Sequence, residues 1–314
     1  MAWIQFYPGL GVRPWPRPEN TEARIEWAWA KYQIQLDQLR KLDDDALPFF
    51  DMYSGTELFA EAFGCKVHLP DNDMPFALPL VRSAKEASRL SVPGLDAPPL
   101  KRVFHIAREL RRRSDGQALF RLPDIQSPMD IAALVWEKTT FYTALLEEGE
   151  AVQELAAKIR SLLVAFLEQW FTEFGADFIA HYPDYYMPRG ITLSEDEVGA
   201  VSGEVFLRHF LPELSLLSQH FGGMGMHCCA NSFHQWENFK KVPGLRLINI
   251  NQPQAVTKKA YHFFAGHTAQ LHINAEAPGW TPPEQIPPGS KVVYNIPTDD
   301  PGIAADLLRR IRSQ

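Results

Sequence analysis

The sequence predicts a single α/β domain folded as a (β/α)8 barrel. The chain has 314 residues of nearly uniform composition, and one barrel of more than about 250 residues accounts for that length. Segments with apolar residues every three or four positions alternate with short apolar runs, which is the order expected of parallel strands joined by helices. The eight runs that predict strands are residues 3–7, 47–53, 118–122, 178–182, 224–229, 245–250, 269–273 and 292–296.

Residues 1–45 form an N-terminal elaboration of the predicted domain 1–314, with a strand, a proline-rich loop and an outer helix. Asn20 and Thr21 provide a helix cap, and apolar residues from Ile25 recur at spacings of three and four through about residue 41. The same periodicity predicts helices over 149–173, 196–220 and 301–312. Proline clusters at 93–99 and 278–288 predict surface loops, because periodic segments resume on either side of each.

Charge and cysteine content exclude several classes of protein. A net charge of −7 argues against nucleic acid or an anionic membrane as the main partner. Three cysteines cannot form a disulfide framework. No stretch approaches the roughly 18 apolar residues of a membrane span, and the N-terminus lacks the pattern of a signal peptide. We therefore expect a soluble, cytoplasmic protein.

The segment His227-Cys228-Cys229 is the most informative group of chemically active residues. Alternate residues of a strand point to the same face, so His227 and Cys229 share one face and Cys228 points towards the helices. An imidazole and a thiolate at this spacing can occupy two of the four positions around Zn²⁺. A buried histidine flanked by two core cysteines gives the same pattern, so spacing alone leaves both interpretations open.

Polar residues also follow other predicted strands, where the active sites of such barrels lie. Asp51, Tyr53 and His181 are candidates for catalysis, and Tyr186 is a candidate for substrate positioning. Arg189 lies in a loop with Asp184, where the two either bind a ligand or pair with each other. Glu195 and Asp196 form an acid pair of the kind favoured at a helix N-terminus. For Tyr53, His181 and Tyr186, a role in packing or at the rim of the barrel is the alternative to a function.

Four blocks of sequence carry a family resemblance: residues 50–51 with 57–67, 123–132, 193–196 with 202–212, and 227–231. Together they resemble the uroporphyrinogen decarboxylase superfamily. That superfamily consists of (β/α)8 TIM barrels with two chemistries: decarboxylation of the acetate arms of a tetrapyrrole, and zinc-dependent methyl transfer between a corrinoid and a thiol. The last block is similar to the H-x-C-G-N motif of the methyltransferase branch, and within it Asn231 is a substrate-binding candidate.

Departures from the family pattern favour the methyltransferase branch. True decarboxylases carry an N-terminal arginine-rich segment that binds substrate carboxylates, and only Arg13 is a remnant of it here. Their essential aspartate aligns near Gly55, four residues after Asp51. Without an arginine clamp a substrate with eight carboxylates is bound poorly. The resemblance implies that Asp196 also lines the pocket.

The methyltransferase branch has a third zinc ligand, a cysteine on the last barrel strand, which residues 291–300 lack. Catalytic zinc typically has three protein ligands and one open position. The replacement could be His272, Asp299, Glu276 or Asp51, and we expect His272 first, because an imidazole suits a His/Cys pair. The predicted metal ligands are thus His227, Cys229 and His272.

The resemblance thus implies a zinc ion, a corrinoid as methyl donor or carrier, and a small thiol as acceptor. Tetrapyrrole decarboxylation and a barrel that binds a tetrapyrrole or corrinoid without turnover are the alternatives. A corrinoid protein and a second copy of the chain in a homodimer are the expected macromolecular partners. Metal content separates these hypotheses, because only the methyltransferase requires stoichiometric zinc.

Overall fold

Parallel strands and the helices between them make up most of the computed structural model, which describes residues 1–116, 118–273 and 281–313. The strands in these residues are β1 (Ala2–Gln5), β2 (Phe49–Phe50), β3 (Lys66–His68), β4 (Phe76–Leu78), β5 (Leu119–Phe120), β6 (Phe178–Ile179), β7 (Tyr186–Met187), β8 (Ile191–Ser194), β9 (Met224–Cys228), β10 (Leu245–Ile250), β11 (Ala269–Ile273) and β12 (Lys291–Pro297).

Helices precede or follow nearly every strand. They are α1 (Thr21–Gln38), α2 (Leu58–Ala62), α3 (Ala84–Ser88), α4 (Pro98–Arg113), α5 (Pro128–Val135), α6 (Lys138–Glu147), α7 (Gly149–Phe174), α8 (Gly203–Val205), α9 (Leu211–Phe221), α10 (Trp236–Phe239), α11 (Gln254–Phe263) and α12 (Pro301–Arg312). A π-helical segment, Phe206–Phe210, joins α8 to α9.

Six strands form one parallel sheet in the order β1-β12-β11-β10-β9-β8. Strands β2 and β5 form a separate parallel pair, and single parallel bridges join Arg121 to Ile179 and Gln126 to Ser194. Helices connect the consecutive parallel strands β8, β9, β10 and β11, as parallel pairing requires. The prediction of an α/β fold around a parallel sheet is confirmed.

The ladders of the described residues do not close into a complete barrel, and the gap lies between β1 and β2. The backbone N–H groups of Ala2 and Ile4 donate to the carboxylates of Asp45 and Asp44, both at 2.8 Å, instead of to a strand. Trp3 and Phe49 meet through their rings, whose centroids are 6.1 Å apart. Side chains therefore occupy the edge where a ladder would have closed the sheet.

Each of the eight apolar runs overlaps a strand, but the central sheet also includes β8, which the sequence analysis did not predict. Its sequence, Ile-Thr-Leu-Ser, alternates apolar and hydroxyl residues instead of forming a continuous apolar run. All four residues are nevertheless buried. The predicted helix over 196–220 accordingly begins later, at α8, and the residues after β8 are a loop and a short 3-10 helix, Glu197–Ala200.

Apolar side chains from α4 and α7 form the largest aromatic cluster of the core. On α7 the apolar stripe that includes Val152, Leu155 and Ile159 is fully buried. Trp170 packs on Phe174 with ring centroids 4.6 Å apart. This packing holds the outer helices against the sheet and leaves the carboxyl ends of the strands for polar residues.

His209 is an exception to the apolar core of the helical layer. It lies in the π-helical segment and is 2% exposed. Neither ring nitrogen has a hydrogen-bond partner among the described residues. The imidazole packs against Gly149 so closely that a Cβ there would lie 2.7 Å from its Cε1 atom. Burial, and secondly the nearby Arg208, lower the pKa of His209 below its ordinary value.

We predict that His209→Leu reduces the loss of stability at acidic pH. Because the folded-state pKa of His209 lies below the unfolded value of about 6.5, protonation favours the unfolded state, and stability falls as the pH drops below that value. The free energy of unfolding, measured in urea at pH 7.5 and pH 5, should fall by about 1 kcal/mol less in the variant than in the wild type. His262→Leu, at an exposed position, should keep the wild-type pH dependence. Identical pH dependence in all three proteins would refute the assignment.

Candidate active site

Parallel pairing of β8 with β9 brings two strand ends into one site. Ser194 is paired with His227, and the backbone N–H of Glu195 donates to the carbonyl of His227 at 2.9 Å. Asp196 therefore follows the end of β8 beside Cys229, which follows the end of β9. These are carboxyl ends of parallel strands, where ligands of α/β folds bind.

Asp196, His227 and Cys229 each offer one ligand atom, and these three atoms lie within 4.8 Å of one another. The Cys229 backbone N–H donates to Asp196 Oδ1 at 2.5 Å, and its Sγ donates to Oδ2 at 3.0 Å. Cys228, by contrast, is fully buried in the core. The two cysteines therefore point in opposite directions, as strand alternation predicts: Cys228 towards the core and Cys229 towards His227 and Asp196.

These donors fit a zinc ion in kind. Imidazole nitrogen, thiolate sulfur and carboxylate oxygen are the ordinary ligands of Zn²⁺, and the ligand atoms of a tetrahedral site lie about 3.3–3.8 Å apart, so small side-chain movements would bring these three onto one ion. His227 Nδ1 contacts Asn249 Oδ1, so that Nε2 carries the lone pair. Burial and the Asp196 carboxylate raise the pKa of Cys229 to about 12, and a cation here would have to displace that proton.

Two buried carboxyl groups lie behind this group of ligand atoms. Asp130 Oδ2 and Oδ1 accept the backbone N–H groups of Asp196 and Glu197 at 2.8 and 2.9 Å. Glu195 is fully buried, and burial together with Asp130 raises its pKa far above the ordinary value. Glu195 is therefore not the solvated helix-end acid expected from the sequence. Asp196 does precede the short helix Glu197–Ala200, but its side chain does not cap that helix.

A cavity of about 410 Å³ with mostly polar lining residues opens near His227, and Asp196, His227 and Cys229 are not among those residues. Tyr182 lines the cavity, and its ring lies 4.8 Å from that of His227, centroid to centroid. The other lining residues come mostly from the N-terminal segment, α1 and the loops after the strands. The full lining is Gln5, Tyr7, Arg13, Trp27, Lys31, Asp51, Arg121, His181, Tyr182, Pro183, Asp184 and Asn295.

Buried ion pairs form the floor of this cavity. Lys31 Nζ lies 2.6 Å from Asp51 Oδ2, and Arg121 Nη1 lies 3.2 Å from Asp51 Oδ1. Arg121 Nε is also 3.5 Å from Asp184 Oδ1. Burial alone would raise the pKa of Asp51, but Lys31 and Arg121 outweigh it and hold the pKa well below its usual range. Asp51 is therefore ionised, and it cannot supply a proton at neutral pH.

His181 is held on both sides by hydroxyl groups. Its Nδ1 and Nε2 lie 3.1 Å from Thr192 Oγ1 and from Ser194 Oγ, respectively. Ser194 Oγ in turn donates to Asp124 Oδ1 at 3.2 Å. Burial lowers the pKa of His181 to about 4. Asp124 Oδ1 also lies 3.3 Å from His181 Nε2, but burial outweighs this carboxylate, so His181 is neutral at pH 7 and both of its ring nitrogens already have partners.

Two other residues predicted from the sequence meet at the cavity wall. Arg13 stacks on Tyr53, with its guanidinium carbon 3.3 Å from the ring centroid. Tyr53 is half-buried, and burial raises the pKa of its phenol, whose hydroxyl contacts Met74 Sδ at 2.5 Å. Arg13 is the only one of the pair that lines the cavity.

Tyr186, Arg189 and Asn231 do not line the cavity, and their roles in binding substrate stay predictions. The Tyr186 hydroxyl donates to Asp177 at 3.4 Å, before the start of β6 and hence at the opposite end of the strands. Arg189 and Asn231 are exposed. Asp184 pairs with Arg121 instead of with Arg189, because the loop turns Asp184 into the cavity floor.

The expected third zinc ligands lie elsewhere or outside the described residues. The backbone of His272 pairs with Tyr294 in β11, but its side chain is outside the description, as is all of Glu276. Asp299 is exposed, and Asp51 is neutralised by Lys31 and Arg121. Asp196, which the sequence reading placed at the pocket without naming it a ligand, is the acid that lies beside His227 and Cys229. Its location depends on β8, the strand that was missed.

The fold and this site define an α/β protein with three potential metal ligands at the carboxyl ends of its parallel strands. The family model "Uroporphyrinogen decarboxylase (URO-D)" matches residues 30–272. The chain therefore belongs to the uroporphyrinogen decarboxylase family, whose fold is a TIM barrel, as its resemblance to that family predicted.

The fold is also similar to the solved structure of a methyltransferase from Methanosarcina mazei. The TM-score is 0.66 at 12% sequence identity, over 95% of this chain and 86% of that chain. At this identity the similarity concerns the fold. A comparison with curated proteins gives no match. Among the described residues, no helix is both long and apolar enough to span a membrane.

We predict that Asp51→Asn lowers the free energy of unfolding by about 3 kcal/mol, because it leaves the buried charge of Lys31 without its partner and leaves Arg121 with Asp184 alone. Urea denaturation at pH 7 measures this. The matched control is Asp37→Asn, which breaks the exposed pair between Lys41 and Asp37 and should cost less than about 1 kcal/mol. Equal losses in the two variants would show that the Asp51 network does not stabilise the fold.

Proposed function

We propose that this protein is a zinc-dependent methyltransferase that passes a methyl group from a corrinoid to a small thiol. The observation that carries the proposal is the group of ligand atoms from Asp196, His227 and Cys229 beside a polar cavity. The branch of the family with an H-x-C motif performs this reaction, and the methyltransferase from Methanosarcina mazei has a similar fold.

His227 and Cys229 would hold the zinc ion, and Asn249 keeps the His227 ring in the orientation that leaves Nε2 free for it. When bound, zinc lowers the pKa of a coordinated thiol, so that the acceptor is present as a nucleophilic thiolate at neutral pH. His227 and Cys229 act as ligands in this scheme, and neither is an acid or a base.

The cavity residues would bind and orient the acceptor thiol. Lys31, Asp51, Arg121 and Asp184 neutralise one another, and such a network of fixed charges needs little rearrangement when a ligand enters. Neutral His181 and the ring of Tyr182 form the wall between the cavity and His227. The methyl donor, a corrinoid or a corrinoid protein, would approach from the open side of the cavity, and a homodimer stays a prediction.

The same cavity argues against decarboxylation of a tetrapyrrole with eight carboxylates. Lys31 and Arg121 are already paired with Asp51 and Asp184. Arg13 is the cavity guanidinium for which the described residues show no ion pair, and one such group is a poor match for so many carboxylates. If the purified protein contains no metal, the alternative is a protein that binds a tetrapyrrole or corrinoid without turnover.

We predict that Cys229→Ala abolishes stoichiometric zinc binding, whereas Cys228→Ala retains it, because only Cys229 lies with His227 and Asp196. Zinc content of protein purified without chelators, measured by atomic spectrometry, checks this. The loss of affinity in Cys229→Ala should be at least about 100-fold. Equal losses in both variants would contradict the strand register at His227.

We also predict methyl transfer from methylcobalamin to small thiols by the zinc-loaded protein, and no release of CO2 from uroporphyrinogen. Loss of the methyl–cobalt bond is followed by absorbance, and the methylated thiol by mass spectrometry. Cys229→Ala should lower the rate at least about 100-fold and Cys228→Ala should not. Decarboxylation at an ordinary enzymatic rate would overturn the proposal.

A further inference from the structure

We propose that Asp196 is the third protein ligand of the metal centre and that buried Asp130 positions it. This inference rests on the metal centre of the proposed function, but it concerns residues that neither the sequence motif nor the comparison assigns. It follows from three properties of Asp196: where its carboxylate points, what holds its backbone, and how its charge matches that of the ion.

The carboxylate of Asp196 points at Cys229, and one of its oxygens lies within 4.8 Å of the ligand atoms of Cys229 and His227. Asp196 occupies the position before the helix Glu197–Ala200, where an aspartate normally accepts hydrogen bonds from the first N–H groups of its own helix. Here it makes no such bond. Both of its oxygens face Cys229 instead, at 2.5 Å from the backbone nitrogen and 3.0 Å from Sγ.

Hydrogen bonds to the buried carboxylate of Asp130 hold the backbone of Asp196. Asp130 is 4% exposed, and its two carboxylate oxygens each accept one N–H, from Asp196 and from Glu197. Asp130 itself is fixed at the start of α5, where the Ser127 side chain accepts its backbone N–H at 3.0 Å. These hydrogen bonds connect the loop that carries Asp196 to the first turn of α5.

The charge of this set matches a divalent ion. A thiolate from Cys229 and a carboxylate from Asp196 neutralise two positive charges, and neutral His227 completes three ligands, which leaves the fourth position for a thiol. With a cation between them, Asp196 and Cys229 would no longer share a proton. A carboxylate is also a harder ligand than a second thiolate, so the set accepts Co²⁺ as well as Zn²⁺.

The experiment is a titration of the full-length apoprotein with Co²⁺ and then with Zn²⁺ in competition with a chromogenic chelator. Near-ultraviolet absorption reports the thiolate–cobalt bond of Cys229, and visible absorption reports the coordination number. The variants are Asp196→Asn, Asp196→Cys and Asp130→Asn. The matched control is Glu197→Gln, which removes the neighbouring carboxylate that pairs with Lys138. Circular dichroism and unfolding midpoints confirm that each variant is folded.

We expect Asp196→Asn to weaken Zn²⁺ binding at least about 100-fold and Asp130→Asn to weaken it about 10-fold, while Glu197→Gln binds like the wild type. Asp196→Cys should restore tight binding and increase the thiolate–cobalt absorption, because it supplies a ligand atom at the same place. If Asp196→Asn fails to fold, Asp196→Cys still tests the inference.

Other outcomes separate this inference from the proposed function. If Asp196→Asn binds zinc as the wild type does and Asp196→Cys leaves the cobalt spectrum unchanged, Asp196 is not a ligand, although the methyltransferase proposal stands. Wild-type affinity in Asp130→Asn would refute the positioning role of Asp130. If the variants behave as expected but the wild type transfers no methyl group, the proposed function fails and the ligand set stands. A wild type that binds neither ion overturns both.

Discussion

The pairing of β8 with β9 determines which side chains can act together in this protein. One hydrogen bond, from the Glu195 backbone to the His227 carbonyl at 2.9 Å, sets the point at which both strands end. A shift of one residue along β9 would turn His227 and Cys229 into the core and bring Cys228 to Asp196. The location of the ligand atoms, the direction of the Asp196 carboxylate and the contact of His227 with the cavity wall all depend on this register.

The charged side chains in the floor of the cavity are buried and form ion pairs with one another. Asp51 is ionised because Lys31 and Arg121 contact it, whereas burial keeps His181 neutral even though the Asp124 carboxylate lies 3.3 Å from its Nε2. Such a cavity orients a ligand through fixed dipoles and charges. These environments give no support to proton transfer from Asp51 or His181 at neutral pH. In the proposed function, the cavity residues therefore position the ligand, whereas His227 and Cys229 hold the metal ion.

Most of the strands and the opposite orientations of Cys228 and Cys229 could be predicted from the sequence, because apolar runs and two-residue alternation are local properties. β8 was missed because Thr192 and Ser194 interrupt its apolar character, although the structure buries them against His181. Because β8 was not predicted, nothing in the sequence pattern placed Asp196 beside Cys229, and Glu195 was expected to be a solvated acid. The Lys31–Asp51 pair was equally hidden, since 20 residues separate the partners and burial of a lysine depends on tertiary structure.

X-ray absorption at the zinc edge, on protein purified with its native metal, tests the central claim most directly, because it counts the sulfur atoms bound to the ion. A centre made of Asp196, His227 and Cys229 predicts one sulfur at about 2.3 Å and otherwise nitrogen or oxygen ligands at about 2.0–2.2 Å. Adding a small thiol should raise the count to two sulfurs. A spectrum with no sulfur before the thiol is added, or one that the thiol leaves unchanged, would contradict this account of the site.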